Sequence, residues 1–202
     1  MANRDTPNGL KPVRYASGKP YDGAHNLYYV PAGEGDAMFI GDVVKEVGLI
    51  GATGLAYFGI PVDLMPQCEV FDAADALARG VVVGFYPNPN ALGTNHKPAS
   101  TAAIVMVADD PDLIFEVQES GTITGVTQVE AVGLNTDLVM GTGNATTGTS
   151  AVEIDSTVTP VTTTLTVRLV RPVNRPDNEQ GANLRWEVKF VEHSGLSATG
   201  IA

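Results

Sequence analysis

Apolar and polar residues alternate with a period of two in the most regular stretches of the chain, as in strands that bury one face. In LRWEVKFVE, Leu184, Trp186, Val188 and Phe190 fall on one face and Arg185, Glu187, Lys189 and Val191 on the other. In LIFEVQES, Leu113, Phe115 and Val117 oppose Ile114, Glu116 and Gln118. The unbroken apolar runs Ala37–Ile40, Val43–Val44, Val81–Val83 and Ile104–Ala108 are bounded by turn residues, as strands buried on both faces are. The acidic turn Ala-Asp-Asp-Pro-Asp predicts a hairpin between Ile104–Ala108 and Leu113–Gln118. Threonines alternating with Leu165, Val167 and Leu169 predict a further strand over Thr159–Val170. The only helix candidate is Val70–Arg79, VFDAADALAR, with an early Asp, a late Arg and Gly80 as a stop.

With turns every ~8–12 residues, this pattern predicts an all-β sandwich or barrel with at most one short helix. Residues 1–36 are expected to form an extended N-terminal arm, because prolines 7, 12, 20 and 31 remove donors and fix φ. The tyrosines of that stretch need burial, which a neighbouring subunit would provide. Residues 37–193 are then the β domain and 194–202 a flexible tail. Gly141–Ser150, without a large apolar residue, is expected to be a flexible loop tip.

Composition narrows the classes. The 202 residues include 22 Gly, 13 Pro and 19 Thr, which favours short strands over helices. A net charge of -11 disfavours nucleic acid and anionic membrane as partners. The charge is uneven: residues 1–45 sum to zero, 46–167 to -12 and 168–202 to +1. The neutral ends are therefore the expected docking surfaces and the acidic middle the solvent face. MANRDTPNGLKP lacks the apolar stretch of a secretory signal, and the uncharged run Val47–Val62 is too short to span a bilayer. A lone Cys68 rules out an internal disulfide and reads as a buried, inert thiol.

No catalytic or cofactor-binding constellation emerges. His25, His96 and His193 lack metal-ligand spacing and read as turn or surface residues. Asp109, Asp110 and Asp112 could face a hard cation, but a solvated turn is the expected arrangement, and no metal site is assigned.

Four segments carry a resemblance: ANRDTPNGLKPVRY through GKPYDGAHNLYYVPAGEGDAMFIGDVV, then GVVVGFYPNPN, ASTAAIVMVADDPDLIFEVQE and RPDNEQGANLRWEV. Together they resemble the decoration, or cement, proteins of tailed bacteriophage capsids. The resemblance implies a β-rich structural protein, not an enzyme, on the outer surface of the virion. It would bind the major capsid protein and bridge its subunits, as a homotrimer. Arg4, Lys11, Arg14, Tyr15, Tyr21, Tyr28, Tyr29, Arg171 and Arg175 are the expected capsid or subunit interface residues. Deleting residues 2–20 would then abolish binding while leaving the β domain folded. The alternative is a host-attachment or carbohydrate-binding module of a phage head or tail fibre.

Overall fold

A computed structural model describes residues 3–49, 54–72 and 74–197. Among them the regular structure is entirely β, as the alternation predicts. The strands are β1 (Lys11–Tyr15), β2 (Asn26–Val30), β3 (Val43–Leu49), β4 (Ala56–Tyr57), β5 (Ile60–Pro61), β6 (Pro66–Val70) and β7 (Gly80–Phe85). They continue with β8 (Ala103–Ala108), β9 (Leu113–Gln118), β10 (Asn135–Thr136), β11 (Leu138–Val139), β12 (Glu153–Ile154), β13 (Val167–Pro172) and β14 (Arg185–Phe190). No helix among the described residues is long and apolar enough to cross a membrane.

Five strands close into a barrel in the order β2-β6-β3-β7-β8, and five form a sheet in the order β1-β9-β14-β13-β10. Alternation decides what each buries. Tyr28 and Val30 of β2, Cys68 of β6, and Ala103, Val105 and Val107 of β8 fill the barrel with Met38, Val44 and Val82. The intervening Tyr29 and Ile104 point outward, where Tyr57 and Val62 of the β4–β5 hairpin region cover them. The largest core lies between barrel and sheet. There Val43, Phe71, Ala78, Val81 and Ala108 meet the inward row of β9, β13 and β14, including Phe115, Leu169, Trp186, Val188 and Phe190.

Several expectations are corrected. The N-terminal stretch is not an arm reaching for a neighbour: β1 pairs with β9, and β2 pairs with β8 and β6 inside the barrel. Its prolines do not prevent this, since β1 is a sheet edge and needs a ladder on one side only. Deleting residues 2–20 would therefore strip β1 from the sheet instead of releasing a free arm.

Val70–Arg79 is not helical among its described residues; Ala73 lies outside them. Three of its backbone donors bond to distant backbone, Phe71 N–H to Val43 O and Arg79 N–H to Val44 O of β3, and Ala78 N–H to Glu192 O just past β14. Strand pairing thus outcompetes the local helix preference.

The 108–112 turn does not close a hairpin. β8 pairs with β2 and β7, whereas β9 pairs with β1 and β14, so the turn hands the chain from barrel to sheet. The predicted strand over Thr159–Val170 is regular only from Val167.

The glycine-threonine tip is packed against the barrel. Ile40 N–H bonds to Gly148 O, and Ser150 N–H to Ile40 O. A Cβ on Gly143 would overlap the Phe39 ring, which is why this loop carries no larger residue there. Gly9 and Gly41, at φ of 67° and 99°, cross backbone to backbone where Leu10 N–H reaches Gly41 O at 3.0 Å. Of the expected tail, Ser194 N–H is held by Ala78 O and Leu196 N–H by His193 O; residues 198–202 lie outside the described ones.

A candidate docking face of arginine and glutamate

Strand register decides which side chains share the outer face of the five-stranded sheet. In antiparallel pairs, directly opposed residues point the same way. Since Phe115 and Val188 point into the core, Glu116, Glu187 and everything in register with them point out. Those are Lys11 opposite Glu116, Arg185 opposite Gln118, Arg171 opposite Glu187, and Arg168 opposite Lys189; Arg14 faces Ile114 beyond the bulge of β1. The outer face of these strands thus gathers six of the chain's 12 Lys and Arg residues around two glutamates, in a protein of net charge -11.

The two glutamates organise the cations. Glu187 receives Arg14 Nη2 at 2.5 Å and Arg171 Nη2 at 2.8 Å. Glu116 receives Arg175 Nη1 at 3.0 Å and Arg185 Nη1 at 3.7 Å. Two Arg-Glu-Arg clusters therefore stand side by side; the one on Glu187 has one positive charge in excess, and the one on Glu116 is balanced by Asp177, which pairs with Arg175 at 3.4 Å. Burial would raise the Glu187 carboxyl, but hydrogen bonds from Arg171 and Arg14 outweigh it and hold the group below its ordinary value. The arginines differ in reach. The side chain of Arg171 is 58% exposed and that of Arg175 40%, whereas Arg14 and Arg185 lie flatter at 23% and 15%. Arg171 and Arg175 can thus pivot to an incoming carboxylate while the inner pair keeps the glutamates neutralised.

The expected interface residues divide accordingly. Lys11, Arg14, Arg171 and Arg175 come together on this face, and Arg4 is exposed. Tyr15 and Tyr21 are half-buried against the main core; Tyr15 donates to Asp22 Oδ1 at 3.3 Å and Tyr21 to Ala24 O at 2.9 Å. Tyr28 is buried at 2% exposure inside the chain's own barrel, and Tyr29, at 6%, points out of the barrel beneath Tyr57 and Val62. Lys189, Arg168 and Arg185, with the two glutamates, complete the face; only the register brings them to it.

Several buried polar groups sit where the sequence suggests solvent. Asp109 is buried at 8% exposure and joins barrel to turn, accepting from Tyr28 Oη at 2.7 Å, Arg79 Nη2 at 3.0 Å and Asn26 Nδ2 at 2.9 Å. Burial and the Asp109 contact raise the Tyr28 phenol above its ordinary value. Asp112 pairs with Lys189 at 2.6 Å and Asp110 accepts from Asp112 N–H, so the three carboxylates do not converge on a shared point. No group of three or more metal-type ligands occurs among the described residues. His193 is buried, not superficial: its Nδ1 accepts from Gly195 N–H at 2.9 Å, and burial holds the imidazole below its ordinary value. Cys68 is fully buried, and burial raises its thiol, as a core cysteine requires.

In comparison with known proteins, no family model, curated protein or solved structure matches the chain.

Proposed function

We propose that the chain is a capsid decoration protein, which binds the outside of a tailed-phage head and bridges subunits of its major capsid protein. The observation that carries this reading is the segregation of charge. Residues 46–167, which include most of the barrel, hold the acidic excess, while β1, β13 and β14, from the two ends of the sequence, flank β9 and set their cations on one sheet face. Such a face suits an acidic patch on a protein shell, and the acidic remainder keeps bound copies from associating nonspecifically. Each contact of this kind is weak, of the order of 0.2–1 kcal/mol, so stabilisation comes from many copies binding the assembled lattice together.

The test reverses Arg171 and Arg175 to Glu together and measures co-sedimentation with heads built of the cognate capsid protein. Binding is expected to be lost with the fold intact by circular dichroism; undiminished binding overturns the proposal. A host-attachment module is distinguished by copy number, since a decoration protein is among the abundant proteins of the particle and a fibre component is not.

A further inference from the structure

A concavity on the barrel lies away from the arginine face. It encloses about 190 Å³ between Tyr57 of β4, Phe85 at the end of β7, Tyr86, and the loop that returns the chain to β8. β8 runs from Ala103 in this pocket to Ala108 at the hand-over to the sheet. The pocket and the start of the sheet are thus separated by about 16 Å of strand.

Its walls are aromatic and held in place. Tyr57 is buried with Tyr29, Val62 and Ile104. His96 stacks on Phe39 at 5.0 Å and 10° between planes, with Nδ1 3.2 Å from Asn95 Oδ1. Tyr86, 39% exposed, leaves its ring available to a visitor. Polar groups accompany these rings. The hydroxyls of Tyr57, Tyr86 and Thr94, the Asn88 amide nitrogen and His96 Nε2 have no hydrogen-bond partner among the described residues.

Charge is missing from this lining, which contains no Asp or Glu although the chain has 23. The one lysine, Lys97, is 1% exposed and donates from Nζ to Asp36 O at 2.7 Å, with Glu34 O and Pro98 O at 3.4 Å, so its ammonium is spent on backbone.

Aromatic faces attract the weakly positive C–H side of a pyranose, and phenol, amide and imidazole groups pair with its hydroxyls. A ligand with a carboxylate or phosphate would find no free cationic partner of the arginine or lysine type here. The volume is below the ~300 Å³ at which pockets begin to hold drug-sized molecules, which limits the occupant to one ring. We propose that this pocket binds a single ring of a neutral saccharide, stacked on Tyr86 and hydrogen-bonded by Tyr57, Asn88 and His96. The site is independent of the docking face, and a bound copy would carry it on the barrel, clear of the sheet.

The full chain, labelled with ¹⁵N, is titrated separately with glucose, galactose, N-acetylglucosamine and glucuronate, following backbone amides. At least one neutral sugar should give saturable shifts confined to residues 85–103 and their neighbours, with a dissociation constant on the order of millimolar for so small a ligand. Tyr86→Ala should weaken that binding about tenfold, and Tyr86→Phe should retain it. The doubly reversed Arg171 and Arg175 protein should bind the sugar unchanged, so a failure of the capsid proposal leaves this result readable. No saturable shift with any neutral sugar up to about 100 mM, or binding of glucuronate alone, overturns the proposal.

Discussion

Trp186 donates its indole N–H to Glu119 across 3.0 Å, and both side chains are completely shielded from solvent. The same carboxylate accepts from Gln128, whose amide grips Gly181 through both N–H and C=O at 2.8 Å. One buried acid therefore joins the end of β9, the core of the sheet and the 173–184 connection.

This acid makes stability depend on pH near neutrality. Burial pushes the Glu119 carboxyl up from 4.5 to about 7, against hydrogen bonds from Trp186, Gln128 and the Leu184 N–H. Below pH 4.5 both folded and unfolded chains hold the proton and there is no penalty. As pH rises toward 7 only the unfolded chain releases it, so stability falls, by about 3 kcal/mol if no other group intervenes. Thermal unfolding followed by the fluorescence of the single tryptophan should show a higher midpoint at pH 5 than at pH 8. Glu119→Gln should flatten that difference; an unchanged slope refutes the assignment.

Glu187 acts in the opposite direction and in a lower window. Its carboxyl is held below the ordinary value, so its contribution is full above about pH 4.5 and is lost as pH falls through the folded value. Glu187→Gln should cost about 1 kcal/mol in urea denaturation at pH 7, and the loss should shrink in about 1 M salt, where half-exposed charge pairs are screened.

Asp109 ties the turn after β8 to the barrel through Arg79 and Tyr28. Asp109→Ala leaves the buried Tyr28 hydroxyl without its acceptor and the partly buried Arg79 with only Glu46 and Tyr28 as partners, and should destabilise by about 1–3 kcal/mol. Because Asp109 and Asp112 are already engaged by Arg79 and Lys189, millimolar calcium should leave the melting temperature of the unmodified protein unchanged. A calcium-dependent rise would show that the turn binds the ion.

Gly143→Ala forces a methyl into the Phe39 ring, whereas a Cβ on Gly33 meets nothing within 4 Å. The first substitution should cost about 1–3 kcal/mol by overpacking and the second should be nearly neutral, as chemical denaturation of the two variants can compare directly.

What the sequence made legible is local. The alternation in β9 and β14 names the inward rows correctly, with Leu184, Trp186, Val188 and Phe190 all at 3% exposure or less. It could not name partners. The acidic turn looks like a hairpin because the competing ladders, β2 beside β8 and β14 beside β9, come from residues some 70–80 positions away. Proline spacing at the N-terminus looks like an arm for the same reason. Four of the expected interface residues do meet on one face, but the glutamates that organise them, and Arg168, Arg185 and Lys189, become visible only through register. Glu119 and His193 carry no sequence signal of burial, since each sits at the end of a strand in polar text.

The two edges of the arginine-bearing sheet also bear on how copies meet. The barrel closes on itself, whereas the sheet ends in two outer strands, each partly covered by the chain's own loops, β1 at Arg14 by Pro20 and β10 at Asn135 by Val161. β1 is also interrupted by Pro12 and by a register shift before Arg14, and β10 is only two residues long. Neither offers enough continuous backbone for a neighbour to zip onto. Molecules crowded shoulder to shoulder on a common surface can therefore touch through side chains and separate again, without fusing into an extended sheet.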